Sequence, residues 1–227
     1  MALATVIGGT AAASIVAAGP AGTATVTEPA TRVGDVVRLP SDQRVPPRRA
    51  YMVADSVFAG IDAYRQTGRL TGTEWFTDPG VCRRLATTSC QVSGYSRPPT
   101  LVQELSSVPF TPDAYDLFVV ATGYNDSAEF LDTYWNRIVG AIRAAGFEHI
   151  AWINYRTSVG GSTGRNAAAQ NAILAERAAR DGIIVWDFDT ASSGQPWFGG
   201  DGLHLTSPGA AAIADWLSSM IATIDVG

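Results

Sequence analysis

The chain has no lysine and only two cysteines and two histidines among its 227 residues. All 16 basic residues are therefore arginine, a bias that GC-rich codon usage produces without any functional cause. No run of basic residues occurs, and the formal charge is -5 with pI ≈ 4.9. Nucleic acid calls for a basic stripe, so that class of partner is excluded. So few histidines and cysteines, with no cluster at ligand spacing, leave no metal site to propose. A membrane-spanning helix is also disfavoured. The apolar stretch at residues 2–24 is interrupted by Gly8, Gly9, Gly19 and Pro20 and is only weakly hydrophobic.

That stretch is almost all small and apolar, ends in Gly22-Thr23-Ala24, and precedes the first charged residue, Glu28. It reads as the apolar and cleavage regions of a signal peptide whose basic start is missing, or as a disordered leader. Export to the extracellular space is the expectation. Residues 25–49, with Pro29, Pro40, Pro46 and Pro47, read as an extended linker. Residues 50–227 are then one catalytic domain, long enough to bury its own core. In an exported chain Cys82 and Cys90 are expected to form a disulfide closing a short loop; two buried thiols are the alternative.

From residue 50 onward, short apolar runs alternate with helical patterns. Strands are expected at Tyr51-Met52-Val53-Ala54, weakly at Cys90-Gln91-Val92, and at 117–121, 150–153 and 183–186. Helices are expected after Ala54 to about Arg65, from Pro98 and Pro99 to Ser107, and from Arg165 to Arg180. Another carries Phe130, Leu131, Trp135, Ile138, Val139 and Ile142 on one face, and a last one begins at Ser207-Pro208. Continuous apolar strands separated by amphipathic helices imply a parallel sheet covered on both faces. Functional residues in such sheets gather at the carboxyl ends of the strands.

Sorting by that rule leaves few candidates. Ser56 directly follows the first strand and opens the first helix; alone, it reads equally as a cap. Asn125, in Thr122-Gly123-Tyr124-Asn125-Asp126, follows the clearest buried strand, where a turn or cap is the plain alternative. Asp201 and His204 share one turn before the last helix, a spacing that presents a carboxylate and an imidazole on one side. His149 precedes a strand and so belongs to the opposite, amino edge. Gly94 follows the weak second strand, and its lack of a side chain permits close backbone approach. Gly160-Gly161-Ser162-Thr163-Gly164 matches the G-x-S-x-G elbow pattern. Tyr155 to Val159 separate it from the strand-end segment, no oxyanion segment accompanies it, and it reads as a flexible connection.

In order, Ala54-Asp55-Ser56, Gly94, Gly123-Tyr124-Asn125-Asp126 and Asp201-Gly202-Leu203-His204 resemble the four blocks of the SGNH/GDSL hydrolases, over roughly residues 50–225. One position departs: Ala54 stands where the family motif has glycine. The resemblance implies an α/β fold, a flavodoxin-like three-layer α/β/α sandwich with a parallel sheet of about five strands. It implies Ser56 as nucleophile, His204 as base, Asp201 as its orienting partner, and an oxyanion hole from Ser56, Gly94 and Asn125, with no cofactor. The implied substrates are small-molecule or glycan esters, from acetylated sugars to lipids, handled by a monomer. Trp197 and Phe198 flank the last block and suit a sugar ring or acyl chain, or else core packing. Trp152-Ile153-Asn154-Tyr155-Arg156 resembles the corresponding segment of cell-envelope O-acetyltransferases, so acetyl transfer is an alternative chemistry. Ala54 keeps a third reading open, a catalytically inactive SGNH-like binding module.

Overall fold

A computed structural model of the chain describes residues 31–33, 36–38, 44–107 and 114–227. The leader-like stretch 2–24 lies outside them. The chain divides after Pro40 into two units. In the first, β1 (Thr31–Val33) pairs antiparallel with β2 (Val36–Arg38). The second begins within the expected linker, and its residues just before the sheet are bound to the domain. The Val226 N–H donates to the Val45 carbonyl (2.9 Å), and the N–H groups of Arg48 and Arg49 donate to the Asp116 carboxylate (2.7 and 3.0 Å).

The second unit is built on five parallel strands in the order β4-β3-β5-β6-β7. They are β3 (Arg49–Ala54), β4 (Glu74–Pro79), β5 (Leu117–Ala121), β6 (Ile150–Ile153) and β7 (Ile183–Trp186). Side-chain alternation explains the three layers. Ala50, Met52 and Ala54 of β3 face one core with Leu117 and Val119 of β5; Tyr51 and Val53 face the other with Phe118 and Val120. The first core is closed by α1 (Gly60–Ala63), α5 (Phe188–Ser192) and α6 (Ser207–Ile221). The second is closed by α2 (Leu101–Ser107), α3 (Ala128–Ala144) and α4 (Gly161–Arg177). On α3, Leu131, Trp135, Ile138 and Ile142 are buried as their spacing predicts, and Trp135 stacks on Trp152 at 5.3 Å. The sheet order, counted from β3, is the flavodoxin-like 2-1-3-4-5 arrangement.

Several elements differ from the sequence expectation. The second strand lies at Glu74–Pro79, and Cys90-Gln91-Val92 is loop. An edge strand buries little, so its charged and proline-ended sequence carries no apolar run to mark it. The helix expected from Ala54 to Arg65 shrinks to a turn at 56–59 and the single helical turn of α1, so Ser56 stands before the helix rather than in its first turn. Helix α4 starts earlier than expected and takes in Ser162. The cap of α6 is Thr206, whose Oγ1 accepts the Gly209 N–H (3.2 Å).

That cap also anchors the last loop. Thr206 donates through its N–H and its hydroxyl to the Trp197 carbonyl (2.8 and 3.1 Å), and Phe198 bridges Leu205. Gly209 lies so close beneath that a Cβ there would collide with the Trp197 carbonyl oxygen. Gly209→Ala is therefore expected to destabilise the fold by about 1–3 kcal/mol through overpacking. Urea denaturation checks this; an unchanged midpoint would show that α6 does not clamp this loop.

Candidate active site

The site begins where β3 ends. Ala54 is the last strand residue, in register with Pro79 and Ala121, and is not among the residues with positive φ. Alanine in place of the motif glycine therefore continues a strand without strain. The Asp55 N–H prolongs the ladder by donating to the Ala121 carbonyl (3.1 Å). The buried Asp55 carboxylate turns back: Oδ1 accepts the Val57 N–H (3.0 Å), and Oδ2 accepts the N–H groups of Gly123 and Tyr124 (both 3.1 Å). Burial pushes Asp55 up to about 6, against the pull of those three donors. This carboxylate fixes the Ser56 turn relative to the loop after β5. Gly123 is obligatory there, with φ +138 and a Tyr155 hydroxyl where a Cβ would stand.

Opposite Ser56 lies the loop between α5 and α6. It folds back on itself: the Gly199 N–H donates to the His204 carbonyl (2.8 Å), and Gly202 adopts φ +68. Asp201 Oδ1 accepts the N–H groups of Leu203 and His204 (2.9 and 3.0 Å), which closes the turn. Its Oδ2 lies 2.6 Å from His204 Nδ1, and His204 Nε2 lies 3.0 Å from Ser56 Oγ. The consistent tautomer has Nδ1–H donating to Asp201 and Nε2 accepting from the Ser56 hydroxyl. The hydrogen bond with His204 holds Asp201 down at about 2, so it stays ionised across ordinary pH. Asp201 and His204 are half exposed, and the site faces solvent.

The structure thus brings together Ser56, Asp201 and His204 from opposite ends of the domain. Asn125 follows β5 on the same sheet edge. Its Nδ2 donates to the Arg83 carbonyl (3.1 Å), and its Oδ1 lies 3.5 Å from the Cys82 sulfur. Cys82 and Cys90 are joined in a disulfide. Gly94 sits apart from a strand end, on an exposed turn with open space around its Cα. Trp197 and Phe198 are half-buried and packed against the core, and Phe198 carries the Arg156 guanidinium 4.1 Å over its ring. Ser162 is exposed in the first turn of α4. His149 precedes β6 at the opposite edge.

Two supporting residues escaped the sequence reading. One is Asp55, quoted only as part of a motif. The other is Arg156, almost wholly buried, which donates to the Gly202 carbonyl (3.2 Å) and the Ser192 carbonyl (2.5 Å) and so braces the Asp201–His204 turn. Its signal was its place in Trp152-Ile153-Asn154-Tyr155-Arg156, just past a buried strand.

No protein-family model and no curated protein matches the chain. Solved structures do. A member of the lipolytic protein G-D-S-L family from Veillonella parvula is 15% identical, with 76% of this chain and 96% of that one covered, at a TM-score of 0.54. The C-terminal catalytic domain of a peptidoglycan O-acetyltransferase from Streptococcus pneumoniae is 20% identical, with 79% and 93% covered, at 0.52. A carbohydrate acetylesterase from Sinorhizobium meliloti is 12% identical, with 77% and 98% covered, at 0.54. At these identities the likeness shows a shared fold, the one that the sequence blocks imply.

Asp126 completes this region. Its buried carboxylate accepts the Leu85 N–H (2.9 Å) and the Thr87 hydroxyl (3.4 Å), and burial pushes it up to about 6. A carboxyl raised by folding stabilises the protein at low pH, and that contribution is lost as pH rises from about 4 to about 6. An asparagine amide keeps both contacts, its oxygen accepting from Leu85 and its NH2 donating to Thr87, and has no ionisation to oppose. Asp126→Asn is expected to raise stability at pH 7 by about 1–3 kcal/mol, with no gain at pH 4. Denaturation at the two pH values checks this, and an equal effect at both would refute the assignment.

Proposed function

We propose that this chain is a serine esterase of the SGNH/GDSL kind, cleaving an acyl ester through Ser56, His204 and Asp201. The observation that carries the reading is the pair of distances at one imidazole, 3.0 Å to Ser56 Oγ and 2.6 Å to Asp201. His204 takes the Ser56 proton as Oγ attacks the ester carbonyl, then gives it to the departing alkoxide. Asp201 holds the ring in the reactive tautomer and stabilises the imidazolium. The negative oxygen of the tetrahedral intermediate is bound by the Ser56 N–H and the free hydrogen of the Asn125 amide. Water, activated by the same histidine, releases the acyl group. The half-exposed histidine and aspartate favour water as acceptor over a dedicated second substrate. The ester is one of a carbohydrate or lipid alcohol, with acetyl among its acyl groups. The leader-like composition and the disulfide support action outside the cell.

Turnover of p-nitrophenyl esters of graded acyl length, with and without a glycan acceptor, tests this reading. Hydrolysis without acceptor is expected; product only with acceptor would establish transfer. No turnover and no labelling by a fluorophosphonate would leave a binding module. Ser56→Ala and His204→Ala are each expected to abolish nearly all turnover, and their effects should not add. Asp201→Ala is expected to leave somewhat more, and Asn125→Ala to cost about 100-fold in kcat. Ser162→Ala keeps wild-type rates; a dead but folded Ser162→Ala beside an active Ser56→Ala would overturn the mechanism.

A further inference from the structure

Among the described residues, only Arg65 and Cys82 have positive φ without being glycine, and Cys82, at φ +64, lies beside the site. It occupies the third position of a tight turn closed by the Arg83 N–H donating to the Gly80 carbonyl (3.1 Å). This turn leaves the carboxyl end of β4, next to the end of β3, and the Gly80 N–H donates to the Ala54 carbonyl (2.9 Å) two residues ahead of Ser56. Its far side accepts a hydrogen bond from the Asn125 amide through the Arg83 carbonyl (3.1 Å), and the Cys82 sulfur lies 3.5 Å from Asn125 Oδ1. The turn therefore bridges the two oxyanion donors proposed above. Every other polar handle of Cys82 is occupied: its carbonyl accepts the Cys90 N–H (3.3 Å), and its sulfur is bonded to Cys90. Its N–H meets no acceptor among the described residues, and the same holds for the Ser56 N–H.

Backbone N–H groups of a tight turn form concavities that bind anions, and a residue with a Cβ adopts the left-handed conformation at a cost. The disulfide supplies the constraint. We propose that the Cys82 N–H is the third oxyanion donor, presented by the Cys82–Cys90 bridge, so that turnover depends on the disulfide. The inference rests on the esterase reading. It moves the donor expected at Gly94 onto the loop that the structure places beside Asn125.

The test separates the N–H from the bridge. In Cys82→Ala/Cys90→Ala the bridge is gone and the left-handed conformation is disfavoured. In Cys82→Gly/Cys90→Ala the bridge is gone, but glycine adopts that conformation freely. With p-nitrophenyl acetate, kcat is expected to fall at least about tenfold in the alanine pair, with KM nearly constant, because one donor to the transition state is displaced. The glycine pair should recover to within about fivefold of wild type. Affinity for a trifluoromethyl ketone should follow kcat, as a donor to the oxyanion requires. If the alanine pair fails to fold, dithiothreitol on the wild type gives the same comparison. It delivers two electrons and two protons to the bridge, leaves two thiols, and departs as its own cyclic disulfide. The loss in kcat should reverse on reoxidation, and the glycine pair should not respond. Equal kcat in the two pairs, whether both intact or both impaired, would overturn the proposal, as would a hundredfold loss in a folded Gly94→Ala. A wild type without Ser56-dependent turnover would instead sink the esterase reading itself, and this inference with it.

Discussion

Three backbone N–H groups converge on one buried carboxylate, and the geometry of the site depends on it. Asp55 binds Val57 in its own turn and Gly123 and Tyr124 in the loop after β5. A parallel sheet fixes its strands but leaves the loops beyond them to find their own conformations. Asp55 removes that freedom for two loops at once, and the next residue is Ser56. A neutral residue of the same shape satisfies only part of this set, since an amide NH2 turned toward an N–H donor accepts nothing. The raised pKa of Asp55 reflects the opposing cost of keeping an ionised group out of water.

The site was legible where chemistry and local rules coincide. Ser56, Asn125, Asp201 and His204 each follow the part of the chain that ends at the same sheet edge. Asp201 and His204 also sit at a spacing that closes one turn. The buried strands were legible because β5, Leu117–Ala121, is apolar throughout and has no competing periodicity. What could not be read was the edge. Glu74–Pro79 buries none of its residues fully and ends in an acid and a proline, so the short Trp75-Phe76-Thr77 run was too little to mark a strand. Gly94 follows Cys90-Gln91-Val92, which is loop, so the strand-end rule that singles it out does not apply there. Asp55 and Arg156 were illegible for another reason: their work is done by contacts to backbone atoms far along the chain, which no local pattern encodes.

Ala54 shows how a departure from a motif is judged by conformation rather than identity. As the final strand residue, hydrogen-bonded on both sides and buried, it needs nothing that glycine alone provides. Gly123 and Gly209 are the opposite case, since each stands where a Cβ would collide with a neighbour. Cys82 is the third kind, a side chain held in a conformation that glycine would occupy at no cost.

The contact between Ser56 and His204 spans 148 residues of sequence. Its two halves rest on the first strand of the sheet and on the loop that α6 holds from behind. A folding chain can pair β3, β5 and β6 and pack the core under α2, α3 and α4 while Ser56 is still without its His204 contact, because α6 closes the other core. On the proposed esterase reading, Ser56 therefore gains its base only when the final helix docks. On that reading a copy whose last helix is not in place is silent, because the hydroxyl and the imidazole never meet.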